Sequence, residues 1–260
     1  MLIQVDIRRV ICACLSMALL MLATAATEAA LVSPSAQKRT LATFAEASSD
    51  TIAPVIDNDA DASADFNPYL GDIESNASVG PPAPADAHGR ATQSSSILPT
   101  MIDCSGTTEA SILTQFVFVP EGTRQSYADA TADSTCEVNF TVDEMSDWQL
   151  SGLLTSNFSG STAGVMLRID GGATLFSTEA DFDNNLDSVP FDVTQTLLPG
   201  NVYVLTLSSS SVASGDGGEF EEEFTVNTGG AYNGQLSLVP EPTTLALLAL
   251  LLPFHARRRR

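Results

Sequence analysis

Beyond about residue 98 the chain alternates apolar and polar side chains one for one. Cys136, Val138, Phe140 and Val142 fall on one face, with Glu137, Asn139 and Thr141 on the other. Trp148, Leu150, Gly152 and Leu154 repeat the pattern, and Val165, Leu167 and Ile169 alternate with Met166, Arg168 and Asp170. A period of two is the mark of half-buried antiparallel strands. Asp170-Gly171-Gly172 predicts a hairpin turn between strands at 165–169 and 173–177. Pro199-Gly200-Asn201 predicts a second turn, feeding 202–208. Further strands are expected at 112–119, 189–196, 220–226 and 234–239. With almost no helical periodicity, the expectation for residues 98–238 is an all-β fold, an antiparallel β-sandwich or jelly roll.

Residues 26–97 have a different texture, poor in aromatics and rich in Ala, Ser, Asp and Pro. The run Asp57-Asn58-Asp59-Ala60-Asp61-Ala62-Ser63-Ala64-Asp65 and the segment Val79-Gly80-Pro81-Pro82-Ala83-Pro84 offer little apolar surface to offset chain ordering. They predict a disordered acidic spacer with a short helix near 41–47. The aspartate run lacks the Gly and the Glu that an EF-hand-type calcium loop places at its sixth and twelfth positions.

Both termini are apolar. Arg8-Arg9 precede an apolar run at 10–23, and Ala23-Thr24-Ala25 is a small-x-small cleavage site. This is the order of a secretory signal peptide over residues 1–25, too short for a permanent span. At the other end, residues 239–260 hold Val239-Pro240-Glu241-Pro242-Thr243-Thr244, an apolar stretch at 245–252, then Arg257, Arg258, Arg259 and Arg260. Pro240 and Pro242 keep the start of this tail extended. The apolar stretch is too short to span a bilayer as a helix, and the four arginines favour the cytoplasmic side.

Charge and cysteine are best read without the ends. The whole chain carries −21; between residues 26 and 239 only Lys38, Arg39, Arg90, Arg124 and Arg168 oppose 30 acids, giving −25. Such a surface repels nucleic acid and favours solubility and cations. Cys12 and Cys14 belong to the leader. Cys104 and Cys136 remain, an even pair that predicts one disulfide in an oxidising compartment.

Candidate chemistry is sparse. Asp181, Asp183, Asn185 and Asp187 alternate in one loop and could offer oxygens to calcium, a hard cation; the same residues are ordinary turn formers. No other cofactor is expected. Glu219 and the glutamates at 221–223 read as outward edge guards. Trp148 and Tyr203 run in phase with core leucines, whereas Tyr127 and Tyr232 fall in loop-like segments open to carbohydrate. The two histidines, His88 and His255, sit in the expected spacer and tail, which leaves the folded domain without a base for a Ser-His-Asp or Cys-His site. The expectation is a protein that is not an enzyme.

The tail, in its order of Pro-Glu-Pro, apolar stretch and basic end, resembles the PEP-CTERM sorting signal. The same type of tail also goes under the name of an ice-binding protein C-terminal domain, which implies no affinity for ice. The resemblance implies an exported bacterial protein of the cell envelope, surface or extracellular matrix. The export machinery and an exosortase would be its partners, with transient membrane association through the tail. Pro240, Glu241 and Pro242 would serve recognition, and the terminal arginines retention. A looser resemblance joins Trp148-x-Leu150, Val165-x-Leu167 and Leu198-Pro199-Gly200-x-x-Tyr203-x-Leu205 to bacterial pre-peptidase C-terminal-type β-sandwiches. These readings point to a structural or adhesive role, with matrix polysaccharide as a contact. A calcium-dependent carbohydrate-binding module is the alternative.

Overall fold

In the computed structural model the described residues are 30–120, 122–216 and 223–240. They form twelve strands: β1 (Val32–Ser49), β2 (Ile52–Ser63), β3 (Tyr69–Val79), β4 (Ala85–Leu98), β5 (Met101–Val119), β6 (Gly122–Val142), β7 (Ser146–Ser156), β8 (Ser161–Ile169), β9 (Thr174–Asp181), β10 (Ser188–Leu197), β11 (Tyr203–Asp216) and β12 (Glu223–Leu238). Every pairing is antiparallel. One sheet runs β2-β1-β6-β11-β8-β9. The other runs β3-β4-β5-β12-β7-β10. The far ends of β5 and β6 pair with each other, from Phe116 with Gln125 to Val119 with Gly122, joining the two sheets. The protein is an all-β sandwich.

The two turns read from the sequence are present. Gly171 and Gly200 adopt positive φ (64° and 85°), which a glycine accepts without a Cβ penalty. The Tyr203 hydroxyl takes a hydrogen bond from the Leu198 amide (2.7 Å) and donates to the Leu198 carbonyl (3.1 Å). That pair of bonds ties the Pro199-Gly200 turn to β11 and gives the Leu-Pro-Gly-x-x-Tyr spacing its physical meaning. The strands expected at 220–226 and 234–239 are one continuous strand where described, β12. Gly229 and Gly230 look like a turn but sit in mid-strand, because a Cβ there would press on Asn157 (2.9 Å) and on the Thr162 carbonyl (2.8 Å).

The expected spacer needs correction. Residues 32–98 build β1 to β4, and the proposed helix near 41–47 is part of β1. Leu41, Thr43, Ala45 and Ala47 point inward at strand spacing, as do Ala85, Ala87 and Ala91 on β4. The core therefore has two halves. Toward one end Trp148, Leu150, Leu154, Val138, Phe140, Leu205 and Leu236 fill it with large side chains. Toward the other, Ala45, Ala47, Ala77, Ala85, Ala87, Ala110, Ala128, Ala130 and Ala213 form the cluster, with Ile112 and Val79.

Small side chains let the sheets approach closely. A Cβ on Gly89 of β4 would lie 2.5 Å from the Thr131 carbonyl of β6 and 3.1 Å from the Phe44 carbonyl of β1, so the two backbones nearly touch. Polar side chains bridge the narrow gap: Thr43 to Ser75 (2.7 Å), Thr108 to Ser211 (2.8 Å), Ser134 to the Thr92 carbonyl (3.1 Å) and Ser126 to the Pro84 carbonyl (2.8 Å). A composition that cannot build a thick hydrophobic core can build a thin one, held by close approach and hydrogen bonds between the sheets. Cys104 on β5 and Cys136 on β6 form the expected disulfide between the sheets, 32 residues apart in sequence.

Candidate functional site

The sandwich carries a shallow groove of about 300 Å³ on the outer face of the β3-β4-β5-β12-β7-β10 sheet. Register explains its construction. Leu70, Ser94, Ser105, Asn233 and Leu153 lie directly opposite one another on five neighbouring strands. The next row carries Thr92, Thr107, Ala231 and Thr155. Leu70 (84% exposed) and Leu153 (42% exposed) face each other across four strand spacings, roughly 19 Å at the usual interstrand distance. Between these aliphatic walls the Ser94 and Ser105 hydroxyls and the Asn233 amide share the floor with the Ala231 methyl, and the Thr92 and Thr107 hydroxyls are bonded to each other at 2.6 Å.

None of the groove's lining residues is charged. Charge begins at the β3 end of the second row, where Asp72 stands opposite Thr92 and receives a two-pronged contact from Arg90 (Nε at 3.0 Å, Nη2 at 2.8 Å). Those hydrogen bonds hold the Asp72 carboxyl below its usual range. In a chain this acidic, a neutral groove whose exposed lining is mostly apolar, with a few hydroxyl and amide groups, suits an uncharged ligand with apolar faces rather than an ion.

The calcium candidates are placed differently from a ligand shell. Asp181 ends β9 and caps a short 3₁₀ turn, Phe182–Asn184, accepting from the Asp183 amide (3.0 Å) and from the Asn184 side chain. Asn185 follows in the left-handed region (φ 58°) and returns the chain to a bridge between Asp181 and Leu186. The Asp181 carboxylate is thus engaged in the turn itself. Among the described residues no three acidic, histidine or cysteine side chains are grouped so as to hold a metal ion.

The aspartates at 57, 59 and 61 lie on exposed β2, on the side facing β3. Asp57 accepts from the Asn76 amide (2.8 Å) and Asp61 from the Tyr69 hydroxyl (2.6 Å). Trp148 is fully buried and donates its indole N–H to Ser146 (2.9 Å), so it is core and offers no platform. Tyr232 is not in a loop: it sits within β12, buried against Ser134 (3.0 Å), and burial pushes its hydroxyl up to about 12. Tyr127 is exposed but on β6.

His88 also moves. It lies on β4 within the folded domain, on the outer sheet face, with Nε2 3.3 Å from the Glu74 carboxylate. The argument that the domain lacks a histidine therefore falls. Ser111 is its cross-strand neighbour on β5, yet the imidazole turns to Glu74, and among the described residues it makes no hydrogen bond to Ser111. The two do not form a nucleophile–base pair in this geometry.

Of the sorting residues, Pro240 is described: it is exposed, just past the point where the Val239 amide donates to the Asp147 carbonyl (2.9 Å). Glu241, Pro242 and Arg257 to Arg260 lie outside the described residues, as do the expected signal peptide at 1–25 and Glu219, Glu221 and Glu222. Glu223 opens β12, exposed, on a stretch that pairs with β5 alone. The groove was missed in the sequence because its residues are scattered over more than 160 positions of chain. Only the register brings them together.

No family model matches the chain, and no curated protein does. Among solved structures it is similar to infectious bursal disease virus Gx strain, at 9% identity and a TM-score of 0.24, over 82% of this chain and 58% of that one. It is also similar to the infectious bursal disease virus VP2 subviral particle, at 10% identity and a TM-score of 0.26, over 81% and 57%. A third is the GH31 alpha-xylosidase of Xanthomonas citri, at 9% and 0.21, over 71% and 30%. The chain spans less than two thirds of each, and likeness at this level carries no functional argument.

Proposed function

We propose that this is an exported bacterial protein of the cell surface or extracellular matrix, sorted through its C-terminal tail. Its sandwich has a structural or adhesive, non-catalytic role. The observation that carries the adhesive reading is the uncharged groove: Ser94, Ser105 and Asn233 line a floor between two exposed leucines on an otherwise acidic molecule. Such a surface matches a neutral polysaccharide, whose hydroxyls pair with the floor while its C–H faces meet the leucines. Export is supported by the Cys104–Cys136 disulfide, which suits an oxidising compartment. The exposed Pro240, leaving the last strand, suits a tail read by a membrane protease.

Two experiments test the parts separately. Intact mass of the protein recovered from cells with and without an exosortase reports sorting: loss of the tail is expected only where the enzyme is present. Co-sedimentation with insoluble neutral polysaccharides reports adhesion. Ser105→Glu puts charge and bulk on the groove floor without touching the core, and loss of retention is the expected result. Retention unchanged by that substitution would remove the groove from the account.

A further inference from the structure

Among the described residues, a set of unpartnered polar atoms lies inside the sandwich, beside the disulfide. Arg39 on β1 is 1% exposed, and its Nε and Nη2 have no hydrogen-bond partner. Gln37, two residues earlier and also inward, leaves both amide atoms unpaired. Ser95 and Gln93 on β4 add an unpaired hydroxyl and an unpaired carbonyl oxygen; the Gln93 amide nitrogen donates to the Thr135 carbonyl (3.0 Å).

Register makes these a single cluster. Arg39 stands opposite Cys136 and Ser95 opposite Cys104, so the disulfide bonds their immediate neighbours, 6.5 Å apart at Cα. Tyr69, opposite Ser95 on β3, covers the guanidinium with its ring at 5.2 Å.

A guanidinium in this position needs compensation. Among the described residues no carboxylate lies within ion-pair distance of it. Burial lowers its pKa, and Asp65 opposes that only at longer range, its carboxylate being taken by the Asn67 amide and side chain (3.2 and 2.7 Å). Asp61 is bonded to the Tyr69 hydroxyl. A buried cation without a counter-charge is costly even when its N–H groups are hydrated, and arginine keeps its proton.

We infer that the sandwich interior binds a small monovalent anion of the halide class at Arg39. The anion accepts from Arg39 Nε and Nη2, from the Gln37 amide and from the Ser95 hydroxyl. The enclosing Tyr69 ring and disulfide favour a compact ion over an oxyanion with several substituents. Since the molecule's overall charge repels anions, binding at this point has to come from local donors. Internal water is the rival: it would satisfy the hydrogen bonds and leave the charge.

The test is thermal unfolding of the purified full chain in sodium chloride, bromide or gluconate at one fixed ionic strength, which separates binding from screening. The melting temperature is expected to rise with chloride or bromide and to level off at saturation. In Arg39→Met the halide dependence is expected to vanish, with stability in gluconate equal to or above that of the parent. Gln37→Leu keeps the charge and should need several-fold more halide for the same rise, which covers the case in which the methionine variant does not fold. Crystals grown in bromide should show its anomalous signal beside Arg39. Identical melting in all three salts, with water alone beside Arg39, would overturn the inference. A halide rise that persists in both variants would overturn it as well.

Discussion

Ala45→Asp separates a thin-cored sandwich from a tethered spacer. Ala45 is fully buried on the inner face of β1, in the alanine cluster between the sheets. No partner for a carboxylate is at hand in that cluster, so an aspartate there would have to take up a proton. Moving its pKa from about 3.9 to above 7 costs about 4 kcal/mol at pH 7, and overfilling the narrow gap adds about 1–3 kcal/mol. For a domain of this size each kcal/mol shifts Tm by about 2–4 °C, so a drop on the order of 10 °C or more is expected. The matched control, Ala42→Asp, puts the same charge on the exposed face of the same strand. Its neighbour there is Asp133, and the cost should stay near 0.5 kcal/mol. The pH dependence adds a second check. The buried aspartate's raised pKa makes the penalty grow as pH rises above about 4, so in acid the gap between the two variants should narrow to the overfilling cost. Thermal melts of both proteins at pH 7 and pH 4 give the answer. Indistinguishable melting at pH 7 would refute the claim that residues 32–98 belong to the fold.

Other consequences follow from the same geometry. Gly89→Val should destabilise by several kcal/mol in urea unfolding, since its Cβ would meet backbone carbonyls of both β6 and β1, which cannot rotate away. Replacing Cys104 and Cys136 together by alanine should cost about 3.7 kcal/mol by the loop-entropy estimate for a separation of 32 residues, read from denaturant midpoints. Burial raises the folded-state pKa of Tyr69 and of Tyr232, the latter to about 12. Their contribution is present below about pH 10 and lost as pH rises toward 12, so stability should fall across that window, less steeply in Tyr232→Phe. Asp72 behaves oppositely: its pKa is depressed by Arg90, so the stability it contributes is lost as pH falls below about 4, and Asp72→Asn should flatten that acid limb.

Much of the fold was legible where side chains are large. Trp148, Leu150, Phe140 and Leu205 alternate visibly, and the turns at Gly171 and Gly200 declare themselves by glycine. The first four strands were hidden because hydropathy does not distinguish an inward Ala45, Ser75 or Ala87 from an outward one. What orders them is close contact between backbones and inter-sheet hydrogen bonds, neither of which has a local signature. The same blindness placed His88 in a spacer and Tyr232 in a loop, and it left residues 227–233 out of β12. The Asp181–Asp187 spacing left a calcium loop and an ordinary turn open. The Asp181 carboxylate is taken up by the 3₁₀ turn, a use that alternation alone cannot tell from a place in a ligand shell. The groove was invisible for a different reason: it exists only across five strands.

The most direct test of the adhesive role is co-sedimentation of the full chain with neutral matrix polysaccharides, in calcium and in chelator, beside Ser105→Glu. The account expects retention on at least one polymer, equal in calcium and chelator, and abolished by the groove substitution. Absence of retention throughout, or retention that appears only with calcium and survives the substitution, would contradict it.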